Sequence, residues 1–248
     1  MSKYKVGDKI WTCEVMKPFG PKIFKIQLPE DVINKLTNIT DTLIAQDDRK
    51  KNGCNLAGQI EEEIKISNKV LKENDLYDLF KTYLKGYVNH CLTASGHIES
   101  NVIHYAGKTE NVVTCDISSM WFNEMKPGEY NPAHFHARCH VSSVLYLKIP
   151  KNRPKRNIEC KEDKDGAIDF IDRSVSPDLL QQGIISVQPQ EGEMYMWPSS
   201  LLHCVYPFLG NEVRRSIAWN GVYRLVNEKK GAVILGETPS PDELKTLI

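Results

Sequence analysis

From about residue 112 onward the chain consists of short apolar or alternating runs, and that pattern constrains its fold more than any other feature. The runs are VVTCDISSMWFNEMK, VSSVLYLKI, GAIDFI, GIISVQPQ, GEMYMWP, LHCVYPF and RRSIAWNGVYRL. Turn-forming pairs separate them: Pro-Gly at 127–128, Asp-Gly at 165–166, Glu-Gly at 191–192 and Gly-Asn at 210–211. Runs of this length, ended by residues that favour turns, read as strands rather than helices. Seven or eight of them predict a mainly β protein, a double-sheet barrel or jelly roll, because closing two sheets on each other hides most strand edges.

The N-terminal third reads differently. PKIFKIQL (21–28) alternates like a strand, and Pro29 opens a helix with Val32, Ile33, Leu36, Ile39 and Leu43 on one face. Proline and acids in the first turn suit a helix start. NDLYDLFKTYLKGYVNHCLTA (74–94) predicts a second helix with Asn74 or Asp75 as its cap. RKKNGCNLAGQIEEEI, between them, shows no clear period. The helices are expected on one outer face of the barrel. The organisation expected is a single domain: a mixed α/β part (1–110), the barrel core (111–226) and a tail (227–248). NRPKRNIECKEDKDG (152–166) reads as an exposed loop. Near the end, a short helix from Ser240 or Pro241 packs on the barrel or meets a second copy in a homodimer, and the sequence leaves that choice open.

Composition narrows the partners. Lys+Arg and Asp+Glu both number 32, so the formal net charge is zero and no nucleic-acid partner is expected. The basic run KNRPKR (151–156) reads as a solvated loop. Seven cysteines, an odd number without CxxC spacing, read as free thiols, and from MSKYKVGDKIW no apolar leader is expected. No window approaches 18 continuous apolar residues, so no membrane span is expected, and the expected location is the cytoplasm.

The chemistry concentrates in NPAHFHARCH. His134 and His136 are two apart, and in extended chain residues i and i+2 point to the same side. Two imidazoles so placed can chelate one ion, with His203 in WPSSLLHCVYPF as the third ligand from another strand. Three histidines leave coordination positions open, as a metal enzyme requires. His140 shares their parity and is a reserve ligand. Eleven residues past His203 come Arg214, Arg215 and Ser216 at the start of a strand. Arg214 and Ser216 share a face and form a fork for a carboxylate.

A His-x-(Asp/Glu), a distal His and Arg-x-Ser on a late core strand make the pattern of the Fe(II)- and 2-oxoglutarate-dependent oxygenases. Across residues 20–225 the chain resembles a branch of that superfamily found in bacteria and marine phages, in MWFNEMKPGEYNPAHFHARCHVSSVLYLKIP, GEMYMWPSSLLHCVYPFLGNEVRRSIAWN and NLAGQIEEE. If phage-encoded, the protein would work in the host cytoplasm. The resemblance implies a double-stranded β-helix core, related to jelly rolls and cupins, with N-terminal flanking helices. It also implies a dioxygenase that couples O2 activation to decarboxylation of 2-oxoglutarate to succinate, in most cases hydroxylating a substrate. By resemblance His134, His136 and His203 would be the iron ligands. Arg214 would hold the distal carboxylate of 2-oxoglutarate with Ser216 and Tyr146, and Asn131 and Asn220 would line the pocket with Trp121 and Trp197 as wall. His136 stands where most of the superfamily has Asp or Glu, which leaves the site more positive and open to zinc, copper or nickel. Three alternatives stay open: a three-histidine dioxygenase without 2-oxoglutarate, a non-catalytic metal-binding jelly roll, and histidines that are merely polar residues of the core. The substrate carries no code in the sequence, and an amino-acid or peptidyl C–H bond is preferred by analogy of fold.

Overall fold

In the computed structural model, the described residues are 2–6, 9–13, 20–53, 56–95, 98–99, 102–103, 111–154, 156, 159, 162–174, 182–227 and 233–235. The elements run β1 (Ser2–Val6), β2 (Lys9–Cys13), β3 (Phe24–Gln27), α1 (Glu30–Ile44), β4 (Glu62–Lys65), α2 (Asn68–Glu73), α3 (Tyr77–Ala94), β5 (Ile98–Glu99), β6 (Val102–Ile103) and β7 (Asn111–Met125). They continue with β8 (Asn131–His134), β9 (Val141–Lys148), β10 (Ile168–Ile171), β11 (Ile184–Val187), β12 (Glu193–Pro198), β13 (Leu202–Val205), β14 (Arg214–Asn227) and β15 (Val233–Leu235). The predicted runs from 112 onward all become strands.

Two antiparallel sheets make the core. The larger runs β3-β12-β9-β14-β7-β4, with β15 also on β14, and the smaller runs β11-β10-β13-β8. Between them Val144, Tyr146, Tyr195 and Trp197 of the large sheet meet Ile168 and Phe170 of the small one. The other face of the large sheet carries Phe122, Leu145, Leu147, Ile217 and Trp219, which pack with Leu36 of α1 and Phe80, Leu84 and Tyr87 of α3. Both faces of the central strands are thus covered, which explains why β9 is buried along nearly its whole length. The fold is the double-stranded β-helix with flanking helices that the sequence implied.

α1 starts as expected: Pro29 is extended at the cap, and Glu30 and Asp31 occupy the first turn. The expected cap at Asn74 or Asp75 is not observed. α3 begins after Leu76 with no side-chain cap, and Asn74 and Asp75 instead close the preceding α2. Asn74 Nδ2 donates to Val70 O at 2.9 Å, and Asp75 takes φ 58°. A left-handed residue ends a helix, and Asp is among the few that tolerate it. Within the loop expected to be exposed, Asp165 and Gly166 are buried. Arg156 Nε bonds Asp165 Oδ1 at 2.7 Å, and Gly166 O accepts from Arg214 Nη1 at 3.0 Å. The helix expected from 240 onward lies outside the described residues. No helix among the described residues is long and apolar enough to cross a membrane, and Cys91, Cys115, Cys139 and Cys204 are free thiols.

Arg214 and Arg215 point to opposite faces, and their surroundings differ in kind. Arg215 faces α1, 2% exposed, where Nη2 donates to Glu124 Oε1 at 3.0 Å, Nη1 donates to Thr40 Oγ1 at 3.0 Å, and Asp41 completes the ion pair. Arg215→Ala leaves the half-buried Glu124 carboxylate without its cation and should lower stability by about 3 kcal/mol, the lower end of the range for a buried pair. Urea denaturation of the variant checks this, and a loss under about 1 kcal/mol would place the pair among exposed surface pairs.

Candidate metal centre and anion pocket

β8 and β13 pair antiparallel with His134 directly opposite His203, so the two imidazoles share one face of the small sheet. Their ring centroids are 4.2 Å apart. His136 joins them from outside a strand. β8 ends at His134, and the chain then turns so that His136 N donates to Ser199 O at 3.0 Å. The two-residue spacing therefore works through a strand end, not through strand alternation as expected. His140 lies apart: its Nδ1 accepts from Tyr223 N at 3.1 Å and its ring meets that of Tyr223. It is not a member of the cluster.

The second nitrogens of the three rings settle their protonation. Nδ1 of His134 faces Pro132 O at 2.7 Å, Nδ1 of His136 faces Asn220 Oδ1 at 2.8 Å, and Nδ1 of His203 faces Leu201 O at 3.0 Å. Each partner is an oxygen acceptor, so each Nδ1 carries the hydrogen and each Nε2 is left with a bare lone pair. His134 Nε2 and His136 Nε2 then stand 3.2 Å apart, and the three candidate donor atoms lie within 4.8 Å of one another. Lone pairs converging at that range repel unless a cation sits among them, and supporting bonds on the far nitrogens are how metal-ligating histidines are held. Burial depresses all three pKa values, with the neighbouring imidazoles adding to the effect at His136, about 4, and His203, about 3. The rings are neutral at pH 7, ready to bind a metal without first losing a proton. Among the described residues no fourth His, Cys, Asp or Glu joins the group.

A cavity of about 370 Å³ opens beside the imidazoles. Its far end holds Arg214, 3% exposed and without a carboxylate partner among the described residues. Arg214 Nη1 bonds Gly166 O, Nη2 contacts Met125 Sδ at 2.9 Å, and Nε has no partner. Its guanidinium carbon lies 5.7 Å from the centroid of the Tyr146 ring, and the Tyr146 hydroxyl also has no partner. Burial pushes the Tyr146 pKa up to about 12, so the hydroxyl keeps its proton and is a donor. A buried cation lacking a counter-charge is costly, and an unused donor beside it adds to the cost. Both costs are met by one anion, and a carboxylate matches the planar guanidinium fork.

Strand pairing explains how these groups meet. Ser216 of β14 lies opposite Tyr146 of β9 on one side and Asn123 of β7 on the other, and Asn123 lies opposite Glu63 of β4. Tyr146, Ser216, Asn123 and Glu63 therefore form one row across four strands, all lining the cavity. Asn131, with Oδ1 unpartnered, lines it from β8, and Trp121 stacks on His136 at 6.0 Å between centroids. Asn220 supports His136 rather than facing a ligand through Oδ1. Trp197 contacts His203 edge to face, as a wall residue should.

Two cavity residues escaped the sequence reading. Glu63 is 1% exposed, and burial raises its carboxyl pKa to about 7, with the charge of Glu129 adding to the effect. Asn123 is buried beside it. The available signals were a glutamate flanked by buried isoleucines in QIEEEI, and an asparagine sharing parity with Trp121 in MWFNEM.

Residues 119–220, which hold the three histidines, Asn131, Tyr146, Arg214 and Ser216, match the model of a family described as "Putative 2OG-Fe(II) oxygenase". No curated protein matches the chain. Among solved structures, the non-heme alpha ketoglutarate dependent epimerase SnoN from nogalamycin biosynthesis has a similar fold, with a TM-score of 0.50 at 9% identity over 88% of this chain and 92% of that one. HygX from Streptomyces hygroscopicus, solved with nickel and 2-oxoglutarate bound, gives a TM-score of 0.48 at 10% identity, covering 82% of each chain. A Pseudomonas putida prolyl-4-hydroxylase gives 0.46 at 18% identity over 80% of this chain and 91% of that one. The family match supports the resemblance read in the sequence and an enzyme of the 2-oxoglutarate–Fe(II) oxygenase type, which needs Fe(II), 2-oxoglutarate and O2.

Proposed function

We propose, with a 2-oxoglutarate–Fe(II) oxygenase as the premise, that this chain hydroxylates a C–H bond of an amino acid or peptidyl group. The observation that carries the site assignment is the pairing, in one cavity, of three converging bare Nε2 atoms with a buried arginine that has no counter-charge among the described residues. Those features fit the two groups such an enzyme needs. His134, His136 and His203 would hold Fe(II) through Nε2. Arg214 would receive the distal carboxylate of 2-oxoglutarate, with the Tyr146 and Ser216 hydroxyls donating to it and Asn131 offering its amide. When bound, iron and 2-oxoglutarate together supply the activation of O2, coupled to decarboxylation of the co-substrate to succinate.

The chain's own part is positioning and exclusion of water. Pro132 O, Leu201 O and Asn220 Oδ1 fix the tautomer and tilt of the three rings. Trp121, Trp197, Val144 and Ile168 give the reacting centre apolar walls. Arg214 and Tyr146 set the co-substrate's orientation from its unreactive end, so that binding energy away from the chemistry aligns the reacting atoms.

The two metal-binding alternatives are less well supported. A three-histidine dioxygenase without 2-oxoglutarate gives Arg214 no ligand. A structural zinc site asks for a fourth protein ligand, and Cys139, His140 and Cys204 stand outside the cluster.

The test is anaerobic addition of Fe(II) to the metal-free protein, with and without 2-oxoglutarate. A weak visible charge-transfer absorption requiring both is the expected result. Tight zinc binding with no effect of 2-oxoglutarate on the iron spectrum would overturn the proposal in favour of the non-catalytic alternative.

A further inference from the structure

The polar row across the sheet has two chemically opposite ends. At the β9 end, the Tyr146 hydroxyl and, beside it, Arg214 Nε are donors without acceptors. At the β4 end, Asn123 Oδ1 is an acceptor without a donor and Glu63 Oε2 has no partner, an acceptor too once its carboxyl, with a pKa raised to about 7, ionises against a cation. A dicarboxylic co-substrate answers the first end and has nothing to offer the second, since it brings only more acceptors.

Glu63 is also set apart from its neighbours in sequence. Glu62 is paired with Arg49 and Lys51, and Glu61 with Lys126. Glu63 has no cation among the described residues, although it is the most buried of the three. The loop before β4 is shaped around its carboxyl. A Cβ on Gly58 would lie 2.6 Å from Oε1, and one on Gly53 would lie 3.1 Å from Oε2. A side chain at 58 would push the carboxyl from this position, so glycine there leaves room for it beside the cavity.

We propose that Glu63, with Asn123, binds the ammonium group of a primary-amine substrate. An ammonium supplies the missing charge and donors for both orphan acceptors at once. The inference rests on the iron and 2-oxoglutarate reading for where the reaction takes place. Trp121, two residues before Asn123 on the same face, stacks on His136. Two residues of strand advance about 7 Å. An amine held at Glu63 therefore lays its carbon chain across Trp121 toward the imidazoles, a few carbon atoms from the bond to be hydroxylated. Leu56, Ala57 and Ile60 of the same loop flank that path with apolar surface.

The experiment is calorimetric titration of the full chain, first with Mn(II) and 2-oxoglutarate, then with 1-aminopentane or pentan-1-ol as probes of equal length. The amine should bind at least about tenfold tighter than the alcohol, the ordinary worth of one hydrogen bond to a charged group. Glu63→Gln, nearly isosteric, should erase that preference, leave 2-oxoglutarate affinity within about twofold, and melt no lower than the parent, since it removes a buried unpaired acid. Equal binding of the two probes by the parent, no binding of either, or a preference that survives in Glu63→Gln would overturn the inference. A lower melting temperature with the preference intact would make Glu63 a structural residue, which also overturns it. Failure of 2-oxoglutarate to bind in the first titration would instead overturn the co-substrate reading, and the amine preference is scored separately from it.

Discussion

Arg214→Ala should raise the 2-oxoglutarate concentration needed for half-saturation by about 30- to 1,000-fold, the equivalent of about 2–4 kcal/mol, while Fe(II) binding stays near that of the parent. The guanidinium is fully buried, its Nε is unsatisfied and the Tyr146 ring lies beside it, so a carboxylate there would be held by charge-assisted bonds in a site shielded from water. The same substitution should cost the ligand-free protein little, because it removes a cation that lacks a counter-charge among the described residues. Arg214→Met, apolar and of similar length, should melt at or above the parent temperature. Its neighbour Arg215 should behave in the opposite way, since its loss strands a carboxylate. The check is 2-oxoglutarate titration of the Fe(II) form beside thermal melts. Unchanged co-substrate affinity in Arg214→Ala would show that the anion pocket serves another ligand.

His203→Ala should abolish turnover and weaken metal binding by more than about a hundredfold, beyond what loss of a supporting hydrogen bond costs a metal site. His203 is the most enclosed of the three imidazoles, opposite His134 in the strand pairing, and no other ligand among the described residues stands close enough to replace it. Asn220→Ala offers a graded companion. It removes the acceptor that fixes the His136 tautomer and should weaken the metal by about 10- to 100-fold. Competition against a chromogenic chelator measures both. Equal, small losses in the two variants would mean that the histidines are a polar cluster and not a metal site.

Much of this arrangement was legible in the sequence because it follows from period two. Once RRSIAWN is read as a strand, alternation alone places Arg214, Ser216, Ala218 and Asn220 on one face and Arg215, Ile217 and Trp219 on the other, as observed. His136 belongs to the site for a different reason: strand alternation predicts its side, but a strand end does the work. Chain direction after β8 depends on the bond from His136 N to Ser199 O, a contact 63 residues distant in sequence that no local pattern encodes. Asp75 departs from its expected role for a related reason. A cap-forming residue serves the end of one helix as readily as the start of the next, and only the unannounced α2 decided between them. Glu63 was hidden by company: in EEE nothing local says which carboxylate faces inward, and pairing with β7 makes the choice.

The tandem arginines have a consequence for how the chain finds its fold. A β14 displaced by one residue against its neighbours would still send one guanidinium into the cavity and one toward α1, so charge does not penalise that misalignment. The discrimination falls to Ile217 and Trp219, which would be driven among the polar groups while Ser216 entered the hydrocarbon beneath the helices. Correct alignment of the anion pocket is therefore enforced by two apolar side chains that never touch a ligand. Trading Trp219 for a small polar residue should give a population of misaligned molecules with a guanidinium still in place and the Tyr146–Ser216–Asn123–Glu63 row broken.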